Sequence, residues 1–350
     1  MIIMKEMYSS DALRMANKFI EAAKDASAAG IPVLVFPHKN VDGDCIGSSC
    51  ATALVFRMLG ASSYAVIPEE LPENMSFLGI GDLILGYEDV KDLGKGDFVA
   101  VSVDCSEASR MGACGEIFAR AEETLSIDHH EVTGLRDDIK WIEPLGSSAC
   151  ELVYYVCEKL ASVLEKDLSE IVPPLAASCL MAGIVTDTGR FTYSNTRPET
   201  LETAGILMEL GGNITDVCYN LFDRKKQHEF MASNSACTSS GFYADGKLAM
   251  CKVTLDFLHG FGASSDDVSD VVSKLRDVDG VELAIVLRET EDGKIRANLR
   301  SKTYFDCSEF AAIYGGGGHK KAAGFTAEGD IDGLWLEVKR KAEDLLCKAG

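Results

Sequence analysis

The stretch Val33-Leu34-Val35-Phe36-Pro37-His38-Lys39-Asn40-Val41-Asp42-Gly43-Asp44 decides the reading of this chain. Four consecutive apolar residues without alternation are the pattern of a strand buried on both faces. A polar loop ends that strand, and a helix-like stretch follows over 46–59. Residues 63–67, 98–103 and 124–127 read as further short strands, and helical patterns lie at 11–29, 149–162, 171–184 and 198–210. Strands alternating with helices predict an α/β fold, with a larger N-terminal domain built on a parallel sheet flanked by helices.

The C-terminal part reads differently. Residues 247–254, 281–289 and 294–300 look like strands, the last two joined by Glu291-Asp292-Gly293, and helical segments fall at about 266–276, 307–314 and 332–347. This predicts a smaller mixed α/β domain. The expected division is 1–213 for the first domain, a helical connector over 214–235 carrying Arg224-Lys225-Lys226, and 236–350 for the second.

A chain of 350 residues with 47% hydrophobic and 25% charged residues is long and apolar enough for two cores, which excludes fibrous and wholly disordered classes. Its 34 Lys plus Arg against 55 Asp plus Glu give −21, so it repels long polyanions on average. Long duplex nucleic acid is therefore not an expected partner. The twelve cysteines include no CxxC pair, and many lie in apolar stretches as small buried hydrophobes do. Lys5, Glu6 and Asp11 precede any apolar run, and 171–185 is interrupted by Pro173-Pro174 and too short for a bilayer. The expectation is a cytoplasmic protein without membrane contact, monomeric or homodimeric.

The residues that carry chemistry sit at strand ends. His38, Asp42 and Asp44 follow the first strand, Asp104 ends the third, and Asp128-His129-His130 end the fourth. In open α/β sheets ligands bind at the carboxyl ends of strands, and this mixture of carboxylate and imidazole suits a divalent cation. Taken alone, Asn40-x-Asp42-Gly43-Asp44 reads equally well as a solvated turn. Three strand ends of the same kind, holding three of the six histidines, favour the metal. Asp187, after the apolar 175–185 stretch, is either a turn residue or a further ligand. Gly315-Gly316-Gly317-Gly318-His319-Lys320-Lys321 exposes backbone N–H groups beside donors suited to phosphate, and its apolar flanks set it apart from a linker. Arg300-Ser301-Lys302, just upstream, ends a predicted strand and suits an anion.

Taken together, His38-x-x-x-Asp42-x-Asp44, Asp104, Asp128-His129-His130 and Asp187 resemble the four-motif signature of the DHH phosphoesterase superfamily. The 315–324 run resembles the signature of the DHH-associated C-terminal domain, and the two-domain layout is most similar to the oligoribonuclease (nanoRNase) and pAp phosphatase subgroup. Arg300-Ser301 and the helix start at Ser148-Ala149-Cys150-Glu151 match as well. Val41, Glu107 and Lys320-Lys321 depart from the subgroup's usual Pro, Asp and Arg-containing pair, and none of them removes a presumed ligand.

The resemblance implies two Mn²⁺ ions, with Mg²⁺ or Co²⁺ as substitutes, in a cleft between the domains. One ion would be held by His38, Asp42 and Asp104, the other by Asp44, Asp104, His129 and Asp187, with Asp104 shared. His130 and Asp104 would be catalytic, and Asp128 would orient a ligand imidazole or act structurally. Arg300, Ser301, Gly316, Gly317, Gly318 and His319 would contact substrate. The implied activity is hydrolysis of short oligonucleotides and linear dinucleotides to mononucleotides, and dephosphorylation of the nucleoside bisphosphate pAp, 3′-phosphoadenosine 5′-phosphate. A cyclic or linear signalling-dinucleotide phosphodiesterase is the alternative. A RecJ-type exonuclease is disfavoured by chain length, a manganese pyrophosphatase by the glycine run, and a non-catalytic nucleotide-binding regulator by the complete ligand set.

Overall fold

The computed structural model describes residues 3–105, 107–130 and 139–349. The chain forms two compact units, Met1–Arg224 and Lys225–Gly350, so the break falls inside the 214–235 segment. In the first unit α1 (Ile3–Ala29) precedes β1 (Val33–Phe36), which runs into α2 (Gly43–Met58). Then come β2 (Ser63–Val66), β3 (Ile84–Leu85), β4 (Val99–Val103), β5 (Thr124–Asp128) and β6 (Ile139–Ile142). Helices α3 (Ala149–Leu164), α4 (Pro174–Asp187) and Pro198–Glu209 follow.

The six strands form one parallel sheet in the order β3-β2-β1-β4-β5-β6. β1, β4 and β5 are buried along their whole length; β1 is wholly apolar, β4 nearly so, and β5 buries Thr124, Ser126 and Asp128 as well. β3 has two residues and lies at one edge, and β6 at the other is only partly buried; neither carries a run long enough to be read from sequence. The strand order reverses between β1 and β4, so a crevice opens at their adjacent carboxyl ends. Those two ends carry His38 and Asp104.

Helix α2 begins at Asp42, whose side chain accepts a hydrogen bond from the Cys45 N–H at 3.0 Å. It is buried almost all round and packs closely on α4. That approach needs glycine: a Cβ at Gly47 would overlap the Cys179 carbonyl oxygen, and one at Gly183 would overlap the Cys150 sulfur and Asp44. Helix α4 starts later than the apolar pattern suggests. Pro173 caps it and Pro174 occupies its first turn, where the missing N–H costs nothing, while Leu168–Ile171 forms a separate turn. The helix runs on to Asp187, which therefore lies in its last turn.

In the second unit α5 (Gln227–Thr238), β7 (Gly241–Tyr243), β8 (Leu248–Val253), α6 (Val271–Asp277), β9 (Leu283–Glu289), β10 (Ile295–Ser301), α7 (Cys307–Ala312), β11 (Gly317–His319), β12 (Ala322–Ala327) and α8 (Ile331–Ala349) build a mixed sheet. Its order is β11-β12-β10-β9-β8-β7, with only β8 and β9 parallel. Alternate residues feed two cores. Leu283, Ile285 and Leu287 pack with Phe310 and Val338, while Ala284 and Val286 pack with Val271, Leu275 and Ala236.

The glycine run differs from the open loop expected of it. Gly317, Gly318 and His319 pair with Gly324, Ala323 and Ala322 as an edge strand, with Lys320-Lys321 at the turn. The reason is close approach: a Cβ at Gly316 would overlap the Gly324 carbonyl, and one at Gly318 would press on Ala322 and Ala323. The glycines serve strand pairing first. All twelve cysteines are free, and among the described residues no helix is long and apolar enough to cross a membrane.

Replacing Gly47 by Ala is expected to destabilise the first unit by about 1–3 kcal/mol, the usual cost of overpacking a filled core. Chemical denaturation of the full chain measures this; an unchanged midpoint would show that α2 and α4 can separate freely.

Candidate metal centre

Eight of the predicted residues converge in the first unit. His38 follows β1, is 7% exposed, and has its Nδ1 2.6 Å from the Lys39 carbonyl oxygen. Donation by Nδ1–H to that carbonyl fixes the tautomer and leaves Nε2 as the open nitrogen. Nε2 lies 3.3 Å from Asp104 Oδ2 and 3.9 Å from Asp42 Oδ2. His129 Nε2 lies 3.2 Å from Asp187 Oδ2, 3.5 Å from Asp104 Oδ1 and 3.8 Å from Asp44 Oδ2. The donor atoms thus fall into a His38–Asp42–Asp104 group and an Asp44–His129–Asp187 group, each within 4.8 Å. Asp104 lies against His38 of the first group and His129 of the second.

Asp104 is held in an unusual way. Its φ is +53°, a left-handed conformation rare for a non-glycine residue, and its N–H donates to the Ile127 carbonyl at 3.0 Å. The strain sits at the strand end where the carboxylate must turn into the crevice. Asp44 is fully buried, and its two oxygens accept the Ala149 and Cys150 N–H groups at 2.7 and 2.9 Å. The start of α3, capped by Ser148 at the Glu151 N–H, is thus built around this carboxylate. Asn195, which the sequence gave no reason to select, donates from its amide to the Ser147 and Asp187 carbonyls at 2.9 and 3.1 Å and ties α4 to the same region.

Asp128 and His130 adjoin the same cluster, with His130 Nδ1 3.5 Å from Asp104 Oδ1. One Asp128 oxygen accepts both the His130 N–H at 3.0 Å and its Nδ1 at 2.7 Å. The imidazole that Asp128 contacts is therefore that of His130, and His129 turns to the other carboxylates. The His129 and His130 rings are inclined at 64° with centroids 4.5 Å apart, so adjacent residues present different edges.

The electrostatics follow from crowding. Burial, then the Asp104 charge, pushes the Asp44 carboxyl up to about 7. Burial and Asp44 push Asp187 upward, and burial and Asp104 do the same to Asp42. Burial acts against Asp104 too, but the His129 and His38 imidazoles hold its carboxyl well below the usual carboxylate range. Against burial, Asp104 and its neighbouring carboxylates push His129 up to about 10 and raise His38. Carboxylates crowded in low dielectric must share protons or take up a cation. Asp104 Oδ1 is buried without any hydrogen-bond partner, as is Asp128 Oδ2. An orphaned carboxylate oxygen among imidazoles and carboxylates fits a divalent cation. Cys45 is close to the His38 group, but burial and the adjacent carboxylates push its thiol well above its ordinary value, and it donates to the His38 carbonyl.

The remaining predicted residues lie in the second unit. Arg300 ends β10 and donates from Nη1 to the Leu299 carbonyl at 3.0 Å. Ser301 is 4% exposed, and its hydroxyl donates to the Phe305 carbonyl at 2.8 Å. Gly317, Gly318 and His319 are exposed on the edge strand, and Gly316 precedes it.

Residues 32–184 match the DHH family, N-terminal domain, and residues 245–346 match the DHHA1 domain. The chain thus carries a DHH N-terminal domain and a DHHA1 domain. It is 27% identical to the bifunctional oligoribonuclease and PAP phosphatase NrnA of Thermus thermophilus over 321 residues, covering 91% of each chain. It is also 27% identical to the protein of the same name from Bacillus subtilis over 329 residues, covering 90% of this chain and 95% of the relative. A crystal structure of an exopolyphosphatase-related protein from Bacteroides fragilis superposes with a TM-score of 0.84 at 22% identity, over 96% of this chain and 97% of that one. RecJ of Thermus thermophilus, solved with Mn²⁺, gives 0.58 at 15% identity over 96% of this chain and 55% of that one. These two likenesses show the shared fold.

A divalent cation added to the purified chain is expected to raise Tm, since ligand at 100 times its Kd contributes about 2.7 kcal/mol. The same titration on Asp104→Ala should produce little or no rise. An equal rise in both would place cation binding elsewhere.

Proposed function

We propose that this DHH protein is a metal-dependent phosphohydrolase that degrades linear dinucleotides and other short oligonucleotides to mononucleotides and removes a phosphate from 3′-phosphoadenosine 5′-phosphate. The observation that carries the reading is the orphaned Asp104 oxygen between two groups of carboxylates and imidazoles, at the switch point of the parallel sheet. The names of the two NrnA relatives, matched along nearly their whole length, support the substrate class.

His38, Asp42 and Asp104 would hold one cation, and Asp44, Asp104, His129 and Asp187 the other. Oxygen and nitrogen donors without thiolate suit Mn²⁺, with Mg²⁺ or Co²⁺ as substitutes. Bound there, such cations supply neutralisation of phosphoryl charge and water that ionises near neutral pH. The protein's own part is positional. Helix α3 fixes Asp44, the Lys39 carbonyl fixes the His38 ring, and Asp128 fixes His130 through Nδ1. With Nδ1–H given to Asp128, Nε2 of His130 would take up a proton from solvent and, from the imidazolium, pass it to the leaving oxygen.

In the DHHA1 domain Arg300, His319 and the backbone of Gly316–Gly318 are assigned to the substrate, whereas Ser301, with its hydroxyl committed to Phe305, holds the chain behind them. Twelve unpaired thiols favour a reducing cytoplasm.

The test is a product assay with Mn²⁺ on 3′-phosphoadenosine 5′-phosphate, a linear dinucleotide, a five-residue RNA, a cyclic dinucleotide and pyrophosphate. Mononucleotides from the dinucleotide and phosphate from the bisphosphate are expected. His130→Ala should lower kcat by roughly 10²–10⁴ while leaving the cation-induced rise in Tm intact. Turnover confined to the cyclic dinucleotide would move the protein to signalling, and turnover of none would sink the proposal.

A further inference from the structure

Helix α4 ends in a turn more strained than its cap requires. The Gly189 N–H donates to the Thr186 carbonyl at 3.1 Å and the Arg190 N–H to the Val185 carbonyl at 2.8 Å, the paired bonds of a Schellman cap. That cap needs one left-handed residue, and Gly189, with φ +53°, supplies it. The backbone nevertheless stays left-handed at Arg190 (φ +61°) and Phe191 (φ +62°). Left-handed residues other than glycine occur singly as a rule, because Cβ crowds the following carbonyl oxygen. Two in succession persist only where surrounding contacts impose them.

Those contacts are specific. Phe191 packs against the core of the first unit, and its N–H donates to the Thr188 hydroxyl at 3.1 Å. Arg190 turns instead to the segment Tyr219–Asp223. Its guanidinium carbon lies 4.9 Å from the centre of the Phe222 ring, and its Nη1 lies 3.3 Å from Asp223 Oδ1. Tyr219–Asp223 is a π-helical turn, closed by the Arg224 N–H on the Tyr219 carbonyl at 2.6 Å, and such turns are rare. Phe222 rests on the same core as Phe191. One guanidinium thus joins two irregular segments. Its ion pair is exposed on both sides, 52% and 58%, and alone would contribute little. Stacked on an anchored ring, the same side chain holds its own backbone in a conformation it would otherwise leave.

Asp187 is what this turn controls. From the last turn of α4 its carboxylate reaches His129 Nε2 at 3.2 Å. The other carboxylate of that group, Asp44, is fixed independently by the N–H groups at the start of α3. The His38–Asp42–Asp104 group has no member on α4. We infer that Arg190 is a positioning residue for one cation only: its clasp on Phe222 and Asp223 holds the turn that aims Asp187 at His129. The inference rests on the reading of the crevice as a two-cation centre and adds an asymmetry between the two sites.

The test is Mn²⁺ titration of the full chain by calorimetry, followed by electron paramagnetic resonance with no substrate present. The wild type is expected to bind two ions and to give the spin-coupled signal of a close pair. Arg190→Ala should weaken one site roughly ten-fold or more, the loss typical when a partner that orients a metal ligand is removed. The other site should keep its affinity, and the coupled signal should give way to that of an isolated ion at concentrations that fill only the tighter site. Asp223→Asn should produce the same selective loss in smaller measure, and should add nothing to Arg190→Ala. Arg190→Lys, which keeps a cation over Phe222, should restore most of the affinity. If Arg190→Ala fails to fold, Asp223→Asn, at an exposed position, decides alone. Equal weakening of both sites would mark a merely structural residue and overturn the inference, as would two unaltered sites in the variants. A wild type that binds no cation would overturn the metal reading as well, so the two failures are told apart.

Discussion

The structure of the first unit is organised by one electrostatic constraint: several aspartates are crowded side by side, Asp44 and Asp104 among them buried. Asp44 and Asp104 are almost wholly inaccessible, and Asp187 is largely so. Such a group is costly unless each charge is paired, protonated or shared with a cation. The protein answers with two imidazoles, the amide groups at the start of α3, and a left-handed turn at Asp104 that points its carboxylate inward. The glycines of α2 and α4 let the helices close enough to bring Asp44 and Asp187 to the same histidine. The sheet order then sets the location, since the connections leaving the paired strands β1 and β4 run in opposite directions, to β2 and to β5, and open a crevice at their carboxyl ends.

Much of this was legible in the sequence because both signals involved are local. A short apolar run buried on both faces is distinctive, and a His or Asp immediately after it is fixed at the strand end. His38, Asp104, His129 and His130 were therefore readable one at a time, and their convergence followed from the fold class. The less legible features depend on long-range pairing. Whether Asp128 serves His129 or His130 turns on the geometry of a two-residue turn. The glycine run could expose its amides or pair them, and the choice was made by Gly324 and Ala323, outside the run itself. Edge strand β3 has only two residues, and β6 breaks its apolar run at the exposed Lys140. Arg288 and Arg296 become neighbours only through the antiparallel register of β9 and β10.

The two units divide the electrostatic work. The first concentrates carboxylates where cations are wanted, and the second places guanidinium groups on one sheet face within a chain of net charge −21. A chain of this net charge repels polyanions on average, whereas a few phosphates need only local positive charge.

The central claim is that the orphaned Asp104 carboxylate is shared by two cations. Anomalous diffraction at the manganese edge, from crystals of the full chain grown with Mn²⁺, tests it most directly. The account predicts two peaks flanking Asp104, one beside His38 and Asp42 and the other beside Asp44, His129 and Asp187. A single peak that leaves Asp104 unliganded, or no peak in the crevice at all, would contradict it.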